Sequence, residues 1–100
     1  MSLRLIVRPE AEADALEAAL WYEGREPGLG LEVTAELHSA IERALKNPLA
    51  YLLLREQPHV RRVLTRRFPY RIFYIVRSGA LVVFAILHAA RDERYWRRRL

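Results

Sequence analysis

Apolar and polar positions in the first part of the chain predict a strand followed by a helix. The segment LRLIVR, residues 3–8, alternates in part and is rich in branched side chains, which is typical of a short strand. Pro9 follows, and proline is tolerated in the first turn of a helix. Four apolar or aromatic residues then recur at steps of three and four, as on one helical face: Ala11, Ala15, Ala18 and Tyr22. We therefore predict a helix from Pro9 to about Arg25, where Glu-Pro-Gly interrupts the pattern.

The next apolar pattern predicts a second helix from Leu31 to Lys46. Its apolar side carries Val33, Leu37, Ala40, Ile41, Ala44 and Leu45. Asn47-Pro48 ends this pattern, because the residue before a proline disfavours helical geometry. The connection between the two helices is short, so we expect an antiparallel helical hairpin. Residues 48–59 show no clear period, and we predict a loop there.

Three strand patterns fill most of the second half of the chain: Val60–Thr65, Tyr70–Arg77 and Ala80–His88. Ser78-Gly79 joins the last two strands, so they are expected to form an antiparallel hairpin with a positive φ at the glycine. Strict alternation places Leu81, Val83, Ala85 and Leu87 on one face of the last strand. Residues Asp92–Arg99 are expected to form either a short helix or a flexible tail.

This order of elements indicates the α+β class. We predict a small curved, mainly antiparallel sheet, in the order β-α-α-β-β-β, with a helical hairpin packed on one face. One hundred residues correspond to a single domain over residues 1–100. The other face of the sheet and the tail would then carry the arginines.

The charges are distributed unevenly along the chain. Residues 1–50 carry five basic and nine acidic side chains, whereas residues 51–100 carry twelve basic and three acidic ones. All basic residues except Lys46 are arginines, whose planar guanidinium matches phosphate and carboxylate groups. A segregated positive half favours an anionic partner, either nucleic acid or an acidic protein segment. The alternative is a solvated basic face without a partner.

Composition excludes several classes of protein and site. There is no cysteine, which excludes a disulfide framework and the usual zinc motifs. We found no phosphate-binding glycine pattern and no hydrolase motif, and we expect neither a metal nor another cofactor. No apolar run has membrane-spanning length, and Arg4 and Arg8 interrupt the apolar start, which is atypical of a signal peptide. We expect a cytoplasmic protein that does not bind a membrane.

Candidate chemistry rests on a set of arginines and one histidine. Arg61, Arg62, Arg66, Arg67 and Arg71 come from two neighbouring strands, and Arg91 follows a third. If these side chains converge, they form a phosphate pocket. His88 ends the last strand, where it is either a general acid or base or a residue bonded to the backbone or to Asp92. The run Arg97–Arg99 is typical of a solvated terminus.

Aromatic residues allow two interpretations. Tyr51, Tyr70, Tyr74, Tyr95 and Trp96 have rings that can stack on nucleic-acid bases. The strand positions of Tyr70 and Tyr74 favour the core instead. Trp96 either packs back onto the domain or contacts a partner.

Three segments together resemble the RelE/ParE superfamily of bacterial toxins, which includes the plasmid stabilisation proteins: LIVRPEAEADALEAALWYEGREPGLG, LTRRFPYRIFYIV and VVFAILHAARDERYW. The resemblance covers nearly the whole chain and keeps the predicted order of elements. It implies the toxin of a type II toxin–antitoxin operon, blocked by an antitoxin whose acidic or amphipathic C-terminal segment wraps it. RelE-like members cleave mRNA on the ribosome without metal, whereas ParE-like members inhibit DNA gyrase.

The resemblance also implies roles for single residues. Arg62, Arg66 and Arg91 match basic positions of the ribonucleases, but a further basic position falls on Leu64 and the catalytic tyrosine position falls nearest Arg97. The LHxxRD ending is closer to the ParE-like branch, which we therefore prefer. A RelE-like ribonuclease and an inactive, antitoxin-binding remnant are the alternatives. The catalytic candidates of a ribonuclease are Arg62, Arg66, Arg71, His88 and Arg91. The candidates for binding antitoxin or target are Arg61, Arg67, Tyr95, Trp96 and Arg97.

Overall fold

The computed structural model describes residues 3–91 and 94–100. Its elements are β1 (Arg4–Val7), α1 (Pro9–Arg25), α2 (Leu29–Lys46), β2 (Leu52–Leu53), β3 (Arg61–Leu64), β4 (Tyr70–Arg77), β5 (Ala80–His88) and α3 (Arg94–Arg97). The predicted α+β class and order of elements are confirmed. Among the described residues, no helix is both long and apolar enough to cross a membrane.

Two segments differ from the prediction. The stretch 48–59, expected to be a loop, contains the two-residue strand β2, which pairs antiparallel with β3 at the sheet edge. Two consecutive leucines give no alternation, so the sequence pattern could not indicate this strand. The C-terminal alternative is resolved in favour of the short helix α3, while Asp92 and Glu93 lie outside the described residues.

The five strands form one sheet in the order β1-β5-β4-β3-β2. Strand β1 pairs parallel with β5, and the remaining neighbours pair antiparallel. The turn between β4 and β5 has positive φ at Ser78 (49°) and at Gly79 (74°). Positive φ at both central residues is typical of two-residue hairpin turns, whose backbone twist matches that of the flanking strands. The prediction of positive φ at the glycine is confirmed.

A β-bulge in β5 changes which side chains share a face. Phe73 lies opposite Ala85, and Tyr74 lies opposite Val83, so Phe84 is the extra residue. Ile86 consequently packs on the helix side of the sheet, while Ala85 joins the cluster on the other side. The predicted face of Leu81, Val83, Ala85 and Leu87 is therefore wrong beyond Val83.

The main core lies between the sheet and the helical hairpin. Buried small residues of α1, including Ala11 and Ala18, let the helix approach the sheet closely, and α2 adds Val33 and Leu37. A second cluster covers the opposite face of the sheet. There the buried indole of Trp96 stacks on Phe73, with ring centroids 5.5 Å apart. The short helix α3 is thus held against the sheet by burial of a large aromatic side chain.

Candidate functional site

The guanidinium of Arg71 is buried beneath the end of β5. Its Nη2 donates to the carbonyl oxygen of Arg91 at 2.6 Å and to that of His88 at 3.3 Å. Arg71 is the one buried charged residue among the described residues. These hydrogen bonds hold the end of β5 and the chain that follows it, and this predicted catalytic candidate does not point into open solvent.

The two arginines that begin β3 lie on opposite faces of the sheet. Arg61 donates from Nη1 to the carbonyl oxygens of Leu49 (3.1 Å) and Tyr51 (2.9 Å), so it fixes the segment before β2. Arg62 is half-buried and lies opposite Phe73, on the face away from the helices. Because side chains alternate along a strand, these neighbours cannot contribute to one pocket.

Arg66 and Arg67 lie in the connection between β3 and β4, next to α2. The backbone N–H groups of both donate to Glu36 Oε1, at 3.0 and 2.8 Å. The Arg67 guanidinium also forms an ion pair with Glu32 at 2.6 Å. The hydrogen bond to Glu32 is the main cause of the raised pKa of Arg67. The backbone of this connection is therefore bound to α2, and the predicted arginines are dispersed over several places.

A surface cavity of about 520 Å³ lies between α1, the end of β5 and α3. It brings together three of the predicted site residues: His88, Arg91 and Tyr95. It is also lined by Asp14, Glu17, Trp21, Tyr70 and Arg99, none of which the sequence pattern had placed in a site. We call this cavity the β5-end groove.

His88 and Tyr70 lie together at the base of the groove. The His88 Nδ1 accepts a hydrogen bond from the Ala90 backbone N–H at 3.0 Å, which is the backbone-bonded alternative predicted for this histidine. The Tyr70 ring meets the His88 ring edge-on, with centroids 5.4 Å apart. Burial raises the pKa of Tyr70 to about 12. The phenol is therefore neutral at physiological pH and a weak proton acceptor.

Arg91 and Tyr95 form the outer wall of the groove. The guanidinium of Arg91 lies 5.1 Å from the centroid of the Tyr95 ring, and its Nη2 lies 3.8 Å from Glu17 Oε1 on α1. All three side chains are substantially exposed. Arg91 is thus available to a partner, although a carboxylate across the groove already offsets part of its charge.

The opposite end of the groove is closed by an ion pair between Asp14 and Arg99. Arg99 donates from Nη1 to Asp14 Oδ2 at 2.5 Å and from Nη2 to Oδ1 at 3.1 Å. This hydrogen bond is the main cause of the raised pKa of Arg99. Asp14 Oδ2 also accepts from the Ile86 N–H at 2.9 Å, and Arg99 donates to the Phe84 carbonyl.

Three predictions for the C-terminal segment need correction or completion. Arg99 is anchored between α1 and β5, so the expectation of a fully solvated terminus is wrong for this residue. Trp96, proposed as a contact for antitoxin or target, is buried in the protein because its indole completes the second cluster. Arg97 pairs with Glu56 and lies over the Trp96 ring. The sequence signal that could have located Asp14 was its position in an otherwise alanine-rich helical face.

The groove is balanced in charge and aromatic in character. Each of its arginines faces a carboxylate of α1, and its exposed walls are the rings of Trp21 and Tyr95. In the described parts of the chain, His, Asp and Glu side chains form no cluster of three that could hold a metal ion. The arrangement is suited to burying an apolar or aromatic group of a partner while bonding to polar groups at its rim.

Comparisons with known proteins agree with this architecture. The family model described as "ParE toxin of type II toxin-antitoxin system, parDE" matches residues 5–93. A solved chain of the chromosomal ParDE toxin–antitoxin system from P. aeruginosa is similar in fold, with a TM-score of 0.78 and 17% identity, covering 87% of this chain and 96% of that one. The isolated E. coli RelE toxin superposes with a TM-score of 0.66 and 22% identity, covering 97% of this chain and 95% of that one. No curated protein matches the sequence significantly.

Proposed function

Because the chain belongs to the ParE toxin family of type II toxin–antitoxin systems, we propose that it is a toxin that binds and inhibits DNA gyrase and carries out no chemistry of its own. Its proposed place of action is the cytoplasm. The observation that carries this proposal is the dispersal of the arginines that a ribonuclease would need to bring together.

RNA cleavage needs cationic groups around one phosphate and a proton acceptor within hydrogen-bond reach of the 2′-hydroxyl. Here Arg71 is buried against backbone carbonyls, and Arg66 lies next to α2. Arg91 lines the groove, but Glu17 faces it. The nearby phenol of Tyr70 is neutral at physiological pH, and burial raises its pKa to about 12. These features favour a surface that binds a protein over one that cleaves a phosphodiester.

The β5-end groove is the proposed contact surface for the target. Trp21, Tyr95 and Arg91 are large, half-exposed and adjacent to an apolar base. Aromatic residues and arginine are the types that most often contribute large binding energies at protein interfaces. The binding candidate Tyr95 and the catalytic candidate Arg91 thus fall in one surface, whereas the binding candidates Arg61 and Arg67 already bond within the chain.

Family membership implies a cognate antitoxin. We propose that its C-terminal segment is acidic or amphipathic, because the chain outside the hairpin helices is rich in exposed arginine. A gene encoding such a small protein is expected beside this one. A neighbouring antitoxin whose toxin-binding segment is basic would contradict the charge argument.

The proposal is tested by inducing the gene without its antitoxin and following labelled thymidine and labelled amino acid incorporation over the first minutes. We expect DNA synthesis to stop first, and purified protein to inhibit supercoiling by gyrase. Combining Arg91→Ala with Tyr95→Ala should weaken gyrase inhibition by about tenfold or more. Arg77→Ala, at the exposed far end of β4, is the matched control and should leave inhibition unchanged.

A RelE-like ribonuclease remains the second candidate because His88, Arg91 and Tyr95 do line one cavity. Under that alternative, protein synthesis stops first, and primer extension detects cut mRNA in a translating extract. The double variant Arg66→Ala with Arg91→Ala should then abolish cleavage. Folded protein that changes neither DNA synthesis nor protein synthesis would identify an inactive, antitoxin-binding remnant. Early loss of protein synthesis and loss of neither synthesis would each refute the gyrase proposal.

A further inference from the structure

Helix α1 has two apolar faces, of which the chain covers only one. Ala11 and Ala18 are buried against the core. On the opposite side, Leu16 and Leu20 are 60% and 63% exposed, one helical turn apart. Exposed Ala13 and Gly24 continue this row at steps of three and four. These large side chains at helical spacing form an exposed apolar stripe on α1.

The stripe continues onto α2. Gly30 packs so closely on α1 that a Cβ atom there would lie 2.8 Å from the Ala19 carbonyl oxygen. The next residue, Leu31, turns away from the buried face of α2 and is 79% exposed. The first turn of α2 thus lies against the last turns of α1, and Leu31 adds a further exposed leucine to the hairpin. We call Leu16, Leu20 and Leu31 the outer leucines.

The hairpin that carries the outer leucines is acidic, in contrast to the rest of the chain. Residues 9–46 contain nine acidic and three basic side chains, a formal charge of −6, whereas the other residues contain three acidic and fourteen basic ones, a formal charge of +11. Exposed Glu12 and Glu17 flank the stripe on its two sides. Of the three basic residues, Arg43 and Lys46 lie in the last turn of α2, and Arg25 lies in the last turn of α1, where its guanidinium is over the Trp21 ring.

We propose that the outer face of the hairpin, formed by the outer leucines with Glu12 and Glu17 at its rim, binds an amphipathic helix of a partner protein whose apolar residues are flanked by lysine or arginine. Helical spacing of the leucines matches the way a helix presents its apolar residues. The acidic rim selects the charge of the partner, because like charges brought together at an interface are unfavourable.

The same charge argument disfavours two other occupants. An acidic antitoxin segment would meet carboxylates here, so its complement is the basic remainder of the molecule. A second copy that docked through its own hairpin would also bring acidic rims together. The proposed helix is therefore a separate ligand, and it can bind whether or not the toxin acts on gyrase.

The test uses the full chain and two synthetic helices of about four turns, with leucine at alternating steps of three and four. One carries lysine beside the leucines and the other carries glutamate. Both are labelled with fluorescein, and binding is followed by anisotropy at low and high ionic strength. We expect the lysine peptide to bind through the outer leucines, with an affinity that falls as salt rises, whereas binding of the glutamate peptide to the basic remainder should not depend on these leucines.

Variants locate the binding surface. Leu16→Ala and Leu20→Ala should each weaken the lysine peptide by about tenfold, since each removes most of an apolar anchor. Leu64→Ala is the matched control, because this leucine is half-exposed on the face of the sheet away from the hairpin. Glu17→Lys should lower the affinity for the lysine peptide relative to that for the glutamate peptide. Circular dichroism should show unchanged folding, since every replaced side chain is exposed.

Three results would overturn the proposal. The first is an absence of binding of the lysine peptide to the unmodified chain, which needs no variant. The second is unchanged binding by folded Leu20→Ala protein. The third is concentration-dependent self-association of the chain, measured by sedimentation, that Leu20→Ala abolishes, because the stripe would then belong to a second copy.

Discussion

The ion pair between Asp14 and Arg99 should contribute much more to stability than the ion pairs on the surface. Its side chains are 14% and 22% exposed, and two hydrogen bonds of 2.5 and 3.1 Å join them. The Asp14 carboxylate also accepts the Ile86 N–H at 2.9 Å. Replacing Asp14 by alanine therefore removes the carboxylate partner of Arg99, which keeps its hydrogen bond to the Phe84 carbonyl, and leaves the Ile86 N–H without its acceptor.

The expected loss of stability depends on which of the two partners is removed. Removing one partner of a fully buried pair costs roughly 3–5 kcal/mol, and the partial exposure of Arg99 lowers that figure. We expect Asp14→Ala to lower the free energy of unfolding by about 2–3 kcal/mol. Arg99→Leu should cost only about 1–2 kcal/mol, because Asp14 keeps its bond to Ile86. The double variant should give a coupling energy of about 1–2 kcal/mol.

Urea unfolding of the four proteins in this cycle measures the coupling, with unchanged m-values as the sign that unfolding is still two-state. The matched control is the same cycle at Arg67 and Glu32. Their N–O distance is 2.6 Å, but their side chains are 57% and 48% exposed. Solvent screening should make that coupling clearly smaller than the coupling between Asp14 and Arg99. Equal coupling at the two pairs would refute the reasoning, because burial would then not be the deciding factor.

Three further predictions concern the core. Burial raises the pKa of Tyr70 and of Tyr74 to about 12 each, whereas an unfolded tyrosine ionises near pH 10. The stability from these groups is therefore full below about pH 10 and is lost as pH rises towards 12, and Tyr74→Phe should reduce that loss in urea titrations at alkaline pH. Gly30→Ala should destabilise the protein by about 1–3 kcal/mol, since the new Cβ would clash with α1. The new Cβ of Gly24→Ala meets nothing within 4 Å, so this change should be neutral or stabilising by up to about 1 kcal/mol. Thermal unfolding compares the two variants, and equal effects would contradict the close packing of Gly30 on α1. Trp96→Ala should cost about 3–5 kcal/mol by urea unfolding, because it empties the second cluster, and a loss under about 1 kcal/mol would show that α3 is not held by this residue.

Local signals in the sequence predicted most of the secondary structure. The helix α1 matches its prediction at both ends, because Pro9 and the Glu-Pro-Gly stretch act through the backbone near the residues themselves. The Ser78-Gly79 turn was likewise predicted, since positive φ is a local property. Elements of this kind depend on neighbours a few positions away, which the sequence displays directly.

Features that depend on distant partners were not predicted. The parallel pairing of β1 with β5 joins Arg4 to the neighbourhood of Ala80, and no local pattern encodes it. The bulge at Phe84 was not predicted because strand β5 is apolar on both faces, so an extra residue does not change the pattern of apolar and polar positions. Strands with one polar face would have revealed the shift.

The residues that line the β5-end groove were predicted only in part, because some of them come from distant parts of the chain. His88, Arg91 and Tyr95 lie near one another in sequence, and they do share a cavity. Arg71 was expected to be available because arginine is mostly exposed, but the chain after β5 folds back over it and supplies two carbonyl acceptors. Burial of a charged side chain is decided by such long-range contacts, so sequence reasoning assigned this residue by type alone.

The groove and the protection of the sheet edge have a common origin in the shortness of β1. Strand β1 ends at Val7, opposite Val83, and among residues 3–91 and 94–100 no strand lies beside the outer edge of β5 beyond that point. Asp14 accepts the Ile86 N–H, and Arg99 donates to the Phe84 carbonyl, so side chains from both ends of the chain replace the missing strand. The same contacts hold α3 opposite α1 and leave the groove between them. Any change that releases Arg99 should therefore expose the edge of β5 and remove one wall of the groove together.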